Sequence, residues 1–234
     1  MSIIFMWFAA ILPPLLLWIY VWKHDANPEP SDKLLKAVLL GVAICLPVSL
    51  VENVIEFILL GDGAETLIGT TVDAFFVAAL PEESFKLLAL WLVLRKNRHF
   101  DEHYDGIVYA VCVGLGFAAV ENVFYVFSDD DWAEVAILRA LLAVPGHYAF
   151  AVLMGYYYSL YHFVDRTPQT AICILLVPFV AHGVYDALVF SGDVNGVVGV
   201  ICFLVLLFFC FKLHKAARSK VVAQIERDKQ NRTT

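Results

Sequence analysis

Apolar residues in this chain come in continuous blocks, without the strict alternation of a strand. The blocks cover 2–22, 34–56, 71–94, 105–127, 135–162, 169–190 and 194–213. Each is close to the ~20 residues that an apolar helix needs to cross a ~30 Å hydrocarbon layer. Blocks of that length without a period of two read as helices. The pattern therefore predicts an all-α membrane protein, a bundle of about seven transmembrane helices. No internal repeat or low-complexity tract interrupts it. Composition agrees: 61% of the 234 residues are hydrophobic and 17% charged, against about 45–50% and about 25% in an ordinary globular domain. A soluble enzyme, a nucleic-acid binder and a disordered chain are excluded.

Charge gives the expected topology. Lys23, Lys33 and Lys36 follow the first block, Arg95, Lys96 and Arg98 the third, and Arg166 the fifth. Lys212, Lys215, Arg218, Lys220, Arg227, Lys229 and Arg232 follow the seventh. In a seven-span chain all of these lie on one face, which the positive-inside rule makes cytoplasmic and which places the N-terminus outside. The opposite loops hold Asp62 and Glu65, then Asp129, Asp130, Asp131 and Glu134, then Asp193. Residues 1–213 are read as one polytopic domain and 214–234 as a basic cytoplasmic tail that meets membrane lipid. The first Lys is Lys23, so the N-terminal block lacks the basic start of a signal peptide and is read as a span. Cys45, Cys112, Cys173, Cys202 and Cys210 sit inside apolar blocks without C-x-x-C spacing, as packing thiols.

Two basic residues fall outside this distribution. Arg139, near the outer end of the fifth span, is expected to snorkel or to pair with Asp129–Asp131. Lys86 lies deep in the third span, in the run Pro81-Glu82-Glu83-Ser84-Phe85-Lys86. A charge at mid-span costs roughly 2.5–3.5 kcal/mol, so such residues face protein or a watery cavity. Glu82 and Glu83 precede Lys86 by four and three residues, the favourable order for a helical ion pair. That pairing is expected to neutralise one carboxylate and leave the other over.

The fourth span holds Glu121-Asn122, the fifth Pro145-Gly146-His147, and the sixth His182 with Asp186 four residues on. At ~1.5 Å per residue, Glu82, Glu121, His147, His182 and Asp186 lie ~6–18 Å below the outer span ends. One cavity between the midplane and the outer leaflet can gather all five. Each residue also has a plainer reading: the histidines as hydrogen-bonded core residues, Asp186 as a prop for His182, and Glu121-Asn122 as interhelical glue. Adjacent Glu82 and Glu83 near a bilayer centre have no such structural use. Pro81, Pro145 and Pro178 flank the polar groups and free backbone carbonyls there, although proline is common in membrane helices.

A buried carboxylate serves as a general base or acid. Two imidazoles with one or two carboxylates also make a three-ligand metal site with an open position for water. Both designs lead to hydrolysis, with Glu82 or Glu83 activating water. His147 and His182 either hold a metal or polarise the scissile carbonyl. The chain has no H-E-x-x-H, G-x-G-D or G-x-S-x motif.

A series of motifs fits this picture in order. Asp25 with Pro28-Glu29-Pro30 comes first, then Glu82-Glu83-x-x-Lys86, Asp105-Gly106-Ile107 and Gly114-Leu-Gly-Phe117-x-x-x-Glu121-Asn122. Pro145-Gly146-His147, Met154-Gly-Tyr-Tyr and His182-x-x-Tyr185-Asp186 complete it. Over residues 12–190 the sequence resembles the PrsW family of intramembrane proteases, related to the CAAX-prenyl-protease-like membrane proteins. The resemblance implies a multi-pass protein of the bacterial plasma membrane that cuts a single-span substrate near its extracytoplasmic side, an anti-sigma factor in the family's known setting. It implies catalytic roles for Glu82, Glu83, Glu121, His147 and His182, with Lys86, Asn122 and Asp186 in support. It implies a site able to hold Zn2+ through Glu82, Glu121, His147 and His182. Two other readings of the same cluster remain open from sequence alone: a proton-coupled transporter that uses the carboxylates as a relay, and a non-catalytic membrane scaffold.

Overall fold

Once lipid replaces water, a backbone amide has only its own segment to bond, so a spanning apolar run must be helical. Among the residues described in this computed structural model (3–60, 66–193 and 196–233), helix is the only extended regular structure. Asp62 and Glu65 of the expected acidic outer face lie outside the described residues, as does the side chain of Asp193.

Seven rods are described. They are α1 (Ile3–His24), α2 (Ser31–Leu59), a third rod over 67–94, α5 (Asp105–Ser128), a fifth over Trp132–Phe163, α8 (Pro168–Phe190) and α9 (Gly196–Thr233). The third joins α3 (Leu67–Val72), a π-helical stretch (Asp73–Ala79) and α4 (Leu80–Leu94). The fifth joins α6 (Trp132–Leu138), a second π stretch (Arg139–Ala143) and α7 (Val144–Phe163). Six rods are long and apolar enough to cross a membrane. The third is as long, and Asp73, Glu82, Glu83 and Lys86 set its composition apart. The five cysteines are free thiols.

The centre of the bundle is α5, continuously buried from Asp105 to Ala118. Small residues permit this. Gly41 of α2 lies against the Val113 carbonyl of α5, and Gly155 of α7 against the Gly106 carbonyl and Ile107 Cα. A methyl at either position would overlap backbone, which unlike a side chain has no rotamer to yield. The two contacts clamp α5 between α2 and α7.

The basic segment is helical, because α9 continues without a break through 214–233. Its buried residues Leu213, Ala217, Val221, Gln224 and Asp228 fall on one helical face. Gln224 Nε2 donates to the Tyr156 carbonyl at 3.3 Å. Asp228 accepts from the backbone N–H groups of His103 and Tyr104 at 2.7 and 2.8 Å. Arg232 makes a two-oxygen contact with Glu102 at 2.6 and 2.7 Å. Side-chain hydrogen bonds that repeat at helical spacing convert a basic extension into a docked one.

Next to this dock the loop between α1 and α2 returns Glu29 to the start of α5, where the Tyr109 hydroxyl donates to it. Burial pushes the Glu29 carboxyl up to about 7, assisted by the nearby Asp25 and Asp101. Burial also raises Asp25.

This packing has two measurable consequences. Gly155→Ala should destabilise the folded protein by about 1–3 kcal/mol through overpacking. Gly196→Ala, with nothing within 4 Å of the added carbon, should stay within ~0.5 kcal/mol of the parent; thermal unfolding in detergent compares them, and equal losses would contradict the clamp. Glu29 keeps a proton in the folded state, up to about 7, that the unfolded chain releases near 4.5. Its contribution to stability is therefore whole below the lower value and is lost as pH rises through the higher one. Melting temperature should fall less in Glu29→Gln than in the parent across that window, and parallel pH profiles would remove Glu29 as the cause.

Candidate active site

The third and fifth rods carry their polar residues just past a proline, and in both the helix widens immediately before it. Pro81 and Pro145 have no N–H to give to the fourth carbonyl back. In each case the preceding residue bonds five back instead: the Leu80 N–H to the Phe75 carbonyl and the Val144 N–H to the Arg139 carbonyl. One extra residue per π turn rotates the rest of the helix by about a quarter turn. The rotated residues include Glu82 and Glu83 in one rod and His147 in the other, and both sets face the bundle interior.

There a single ammonium group occupies the centre. Lys86 Nζ donates to Glu82 Oε2 at 2.8 Å and to Glu83 Oε1 at 2.9 Å. It lies 3.3 Å from His147 Nδ1 and 4.3 Å from the Phe117 ring centroid. Glu83 is fully buried, and Glu82, Lys86, His147 and His182 nearly so. The sequence suggested that Lys86 would neutralise one carboxylate and leave the other over. Instead one Lys86 bridges both carboxylates through one oxygen of each, and Glu83 Oε2 is buried without a hydrogen-bond partner.

The histidines approach from the opposite wall. His182 Nδ1 lies 2.9 Å from Glu83 Oε1, and its Nε2 lies 3.1 Å from Asp186 Oδ2 and 4.0 Å from Glu82 Oε2. Its ring stacks on Phe150 with centroids 4.6 Å apart, which fixes the imidazole plane. His147 Nε2 is 2.7 Å from Glu121 Oε2. An ammonium only donates, so Nδ1 of His147 is the lone-pair nitrogen and Nε2 carries the hydrogen toward Glu121. The two imidazole centroids are 5.3 Å apart.

Arg139 does not pair with Asp129–Asp131 as its position in the chain suggests. It turns inward, with Nη2 3.0 Å from Glu121 Oε2 and Nε donating to Asn122 Oδ1 at 2.7 Å. A carboxylate shielded from water holds a cation more strongly than exposed aspartates beyond the helix end. Asn122 acts as interhelical glue, because its Nδ2 also donates to the Ala10 carbonyl of α1 at 3.1 Å.

The cluster opens into a cavity of about 1020 Å³. Glu82, Glu121, His147, His182 and Asp186 all line it. Its mouth carries Glu52 and Glu56 of α2 with Asp73. Nothing in the local sequence pattern of Glu52 and Glu56 marks them as facing the cluster. Its apolar walls include Val42, Cys45, Phe203 and Leu206.

Glu82, His147 and His182 each offer one donor atom, all within 4.8 Å of one another. Two imidazoles and a carboxylate with one side open suit a four-coordinate Zn2+, and the Nδ1 lone pair of His147 would serve it in place of the Lys86 ammonium that it now faces at 3.3 Å. Glu121 stands outside this trio. It grips the far nitrogen of His147, as carboxylates behind metal-binding histidines do.

A family model described as PrsW family intramembrane metalloprotease matches residues 29–211. The Bacillus subtilis protein named Protease PrsW is 33% identical over 225 residues, 93% of this chain and 97% of that protein. Its namesake in Oceanobacillus iheyensis is 32% identical over 218 residues, covering 92% and 97%. The Clostridioides difficile protein of that name is 33% identical over 205 residues, 85% of each chain. No solved structure matches. Aligned from Glu29 to Phe211, through every helix that contributes to the polar cluster, the chain belongs to the PrsW family of intramembrane metalloproteases and is a multi-pass protein of a bacterial membrane.

Proposed function

We propose that the cluster hydrolyses a peptide bond in a single-span membrane protein near its extracytoplasmic side, with an anti-sigma factor as the substrate class. The observation that carries this reading is the meeting of Glu83 and His182 at 2.9 Å, beside a cavity that Glu82, His147 and His182 line together. Acid and imidazole from separate rods share one pocket, as peptide hydrolysis requires and as simple packing does not.

The helix ends that border the cavity support an extracytoplasmic side of cleavage. Glu52 and Glu56 lie toward the end of α2, Asp73 toward the start of the third rod, and Asp186 toward the end of α8. All three ends point away from the face that carries most of the lysines and arginines. With that basic face cytoplasmic, the cavity mouth is extracytoplasmic, the N-terminus lies outside, and the docked segment 214–233 lies inside.

Within the pocket the roles divide by what each atom touches. Lys86 holds Glu82 Oε2, which leaves the other oxygen of this cavity-lining carboxylate to take a proton from water and later return it to the leaving amine. Glu83 is sealed from the cavity and serves by holding His182 through Nδ1, which turns Nε2 to the cavity side, where Asp186 Oδ2 lies 3.1 Å away and fixes the ring from its other nitrogen. His147 is held from behind by Glu121. Glu82, His147 and His182 would hold Zn2+, which would supply polarisation of the carbonyl and acidified water; Glu82 would then serve as a ligand, and its role as proton acceptor belongs to the pocket without the ion. The apolar walls keep bulk water out, so the few donors present act in a medium of low dielectric.

Cleavage of a single-span anti-sigma factor in proteoliposomes tests the assignment. Glu82→Ala, Glu83→Ala and His182→Ala should each lower kcat by about 10²–10⁴. Lys220→Ala, altered on the docked extension, should stay within about twofold. Full cleavage by both glutamate variants would end the protease assignment for this cluster. Metal content of the purified protein is the second measurement. About one zinc per chain is expected in the parent and a small fraction of that in His147→Ala/His182→Ala, whereas equal zinc in both would place the ion elsewhere.

A further inference from the structure

The proteolytic reading leaves one buried cation without a task. Arg139 lies on the fifth rod at the start of its π stretch, its side chain only 12% exposed. Its guanidinium lies over the Tyr125 ring, 4.1 Å from the centroid. Two nitrogens are committed in different directions: Nε to Asn122 Oδ1, and Nη2 to Glu121 Oε2. The second contact is with the same oxygen that approaches His147 Nε2.

The chain of contacts continues outward to α1. Pro14 has no N–H, so it cannot bond the carbonyl four residues before it, which belongs to Ala10. That carbonyl accepts from Asn122 Nδ2 instead. An amide whose nitrogen is claimed by Ala10 must present its oxygen the other way, and the oxygen is what meets Arg139. Asn122 is 2% exposed, so no water competes for either end. The order is Ala10 carbonyl, Asn122, Arg139, Glu121, His147, drawn from α1, α5 and the fifth rod.

We propose that Arg139 is a positioning residue for the reaction: together with Asn122, and oriented by the carbonyl that Pro14 frees, it holds Glu121 so that His147 presents Nδ1 to the pocket. The proposal rests on the proteolytic reading for its kinetic consequence and on geometry alone for its effect on His147. Arginine is required because a planar fork serves two acceptors at a fixed angle, whereas an ammonium is a point charge that serves one direction at a time. Without the guanidinium, Glu121 is free to turn toward the cavity mouth, and His147 loses the carboxylate that selects its tautomer.

The test uses full-length protein in detergent and in proteoliposomes, with a single-span anti-sigma factor as substrate. Arg139→Gln should lower kcat about 10–100-fold, the usual effect of removing a carboxylate's partner behind a histidine, with KM within about twofold. Arg139→Lys should fall between this variant and the parent. Asn122→Ala should lower kcat in the same manner, and the double variant should be no worse than Arg139→Gln alone, since both act through one contact chain. Nitrogen-15 spectra of histidine-labelled protein supply a readout that needs no substrate. The signal absent from His147→Ala should report hydrogen on Nε2 in the parent and lose that preference in Arg139→Gln. Pro14→Ala covers the event that the arginine variants do not fold. It returns an N–H to Ala10 and should lower kcat a few-fold without lowering the melting temperature.

A raised KM with kcat preserved would mean that Arg139 binds substrate and would overturn the proposal. So would additive losses in the double variant, an unchanged His147 signal, or unchanged kcat in Pro14→Ala. If the parent cleaves nothing, the protease assignment fails, and the histidine spectra then decide the positioning claim by themselves.

Discussion

Hydrocarbon tolerates a charge only when another charge or a fixed dipole answers it, and every feature of this site can be traced to that demand. Placing Glu82 and Glu83 side by side at mid-span concentrates negative charge where no water can spread it. Lys86, one turn further along the same helix, answers both carboxylates with one group. This arrangement fixes the side chains before any substrate arrives: Glu82 is turned to the cavity, and Glu83 is turned to His182. Removing either partner of a buried pair costs far more than the pair contributes, because the survivor is left unpaired. The ion pair is thus weak as a source of stability and strong as a constraint on geometry.

Rigid aim also depends on where the backbone departs from the α-helix. A regular helix through Pro81 or Pro145 would strand a carbonyl and push the ring into the preceding turn. The π turn accommodates the proline and changes the register of everything beyond it. That the same device precedes the glutamate pair and His147 explains how two rods direct their polar groups at one point while their long apolar faces meet lipid. The close glycine contacts of α5 keep Glu121 at a set distance from both.

Much of this was legible in the chain. Seven apolar blocks foretold seven rods because a spanning segment has no alternative to helix. The spacing of Glu82, Glu83 and Lys86, and of His182 and Asp186, foretold contacts within one helix because i, i+3 and i+4 are neighbours on any helix. Contacts between helices were less readable. Arg139 looked like an interfacial snorkel, since nothing local says which way a residue faces once a π turn intervenes. The boundary at 213 rests on a change from apolar to basic residues, which does not reveal the docked face of α9 beyond it: Gln224, Asp228 and Arg232 are polar residues whose partners lie more than sixty positions away. Glu52 and Glu56 line the cavity because of how α2 packs against its neighbours, which has no signature in their own neighbourhood.

The two polar regions of the bundle use opposite strategies, and the difference bears on function. At the Asp105 end of α5, Glu29 meets Tyr109, and burial favours its protonated form. Carboxyl groups treated this way give up their charge and become hydrogen-bonded parts of the scaffold. Toward the other end of α5, Glu82, Glu83, Glu121 and Asp186 are each met by Lys86, Arg139 or an imidazole, which fixes the direction in which each carboxylate faces. A hydrolytic site needs the second kind, because a proton acceptor that is already protonated cannot act on water. The same residue type therefore closes one end of α5 and supplies reactive groups toward the other, and what decides between the two is whether a cation was built within reach.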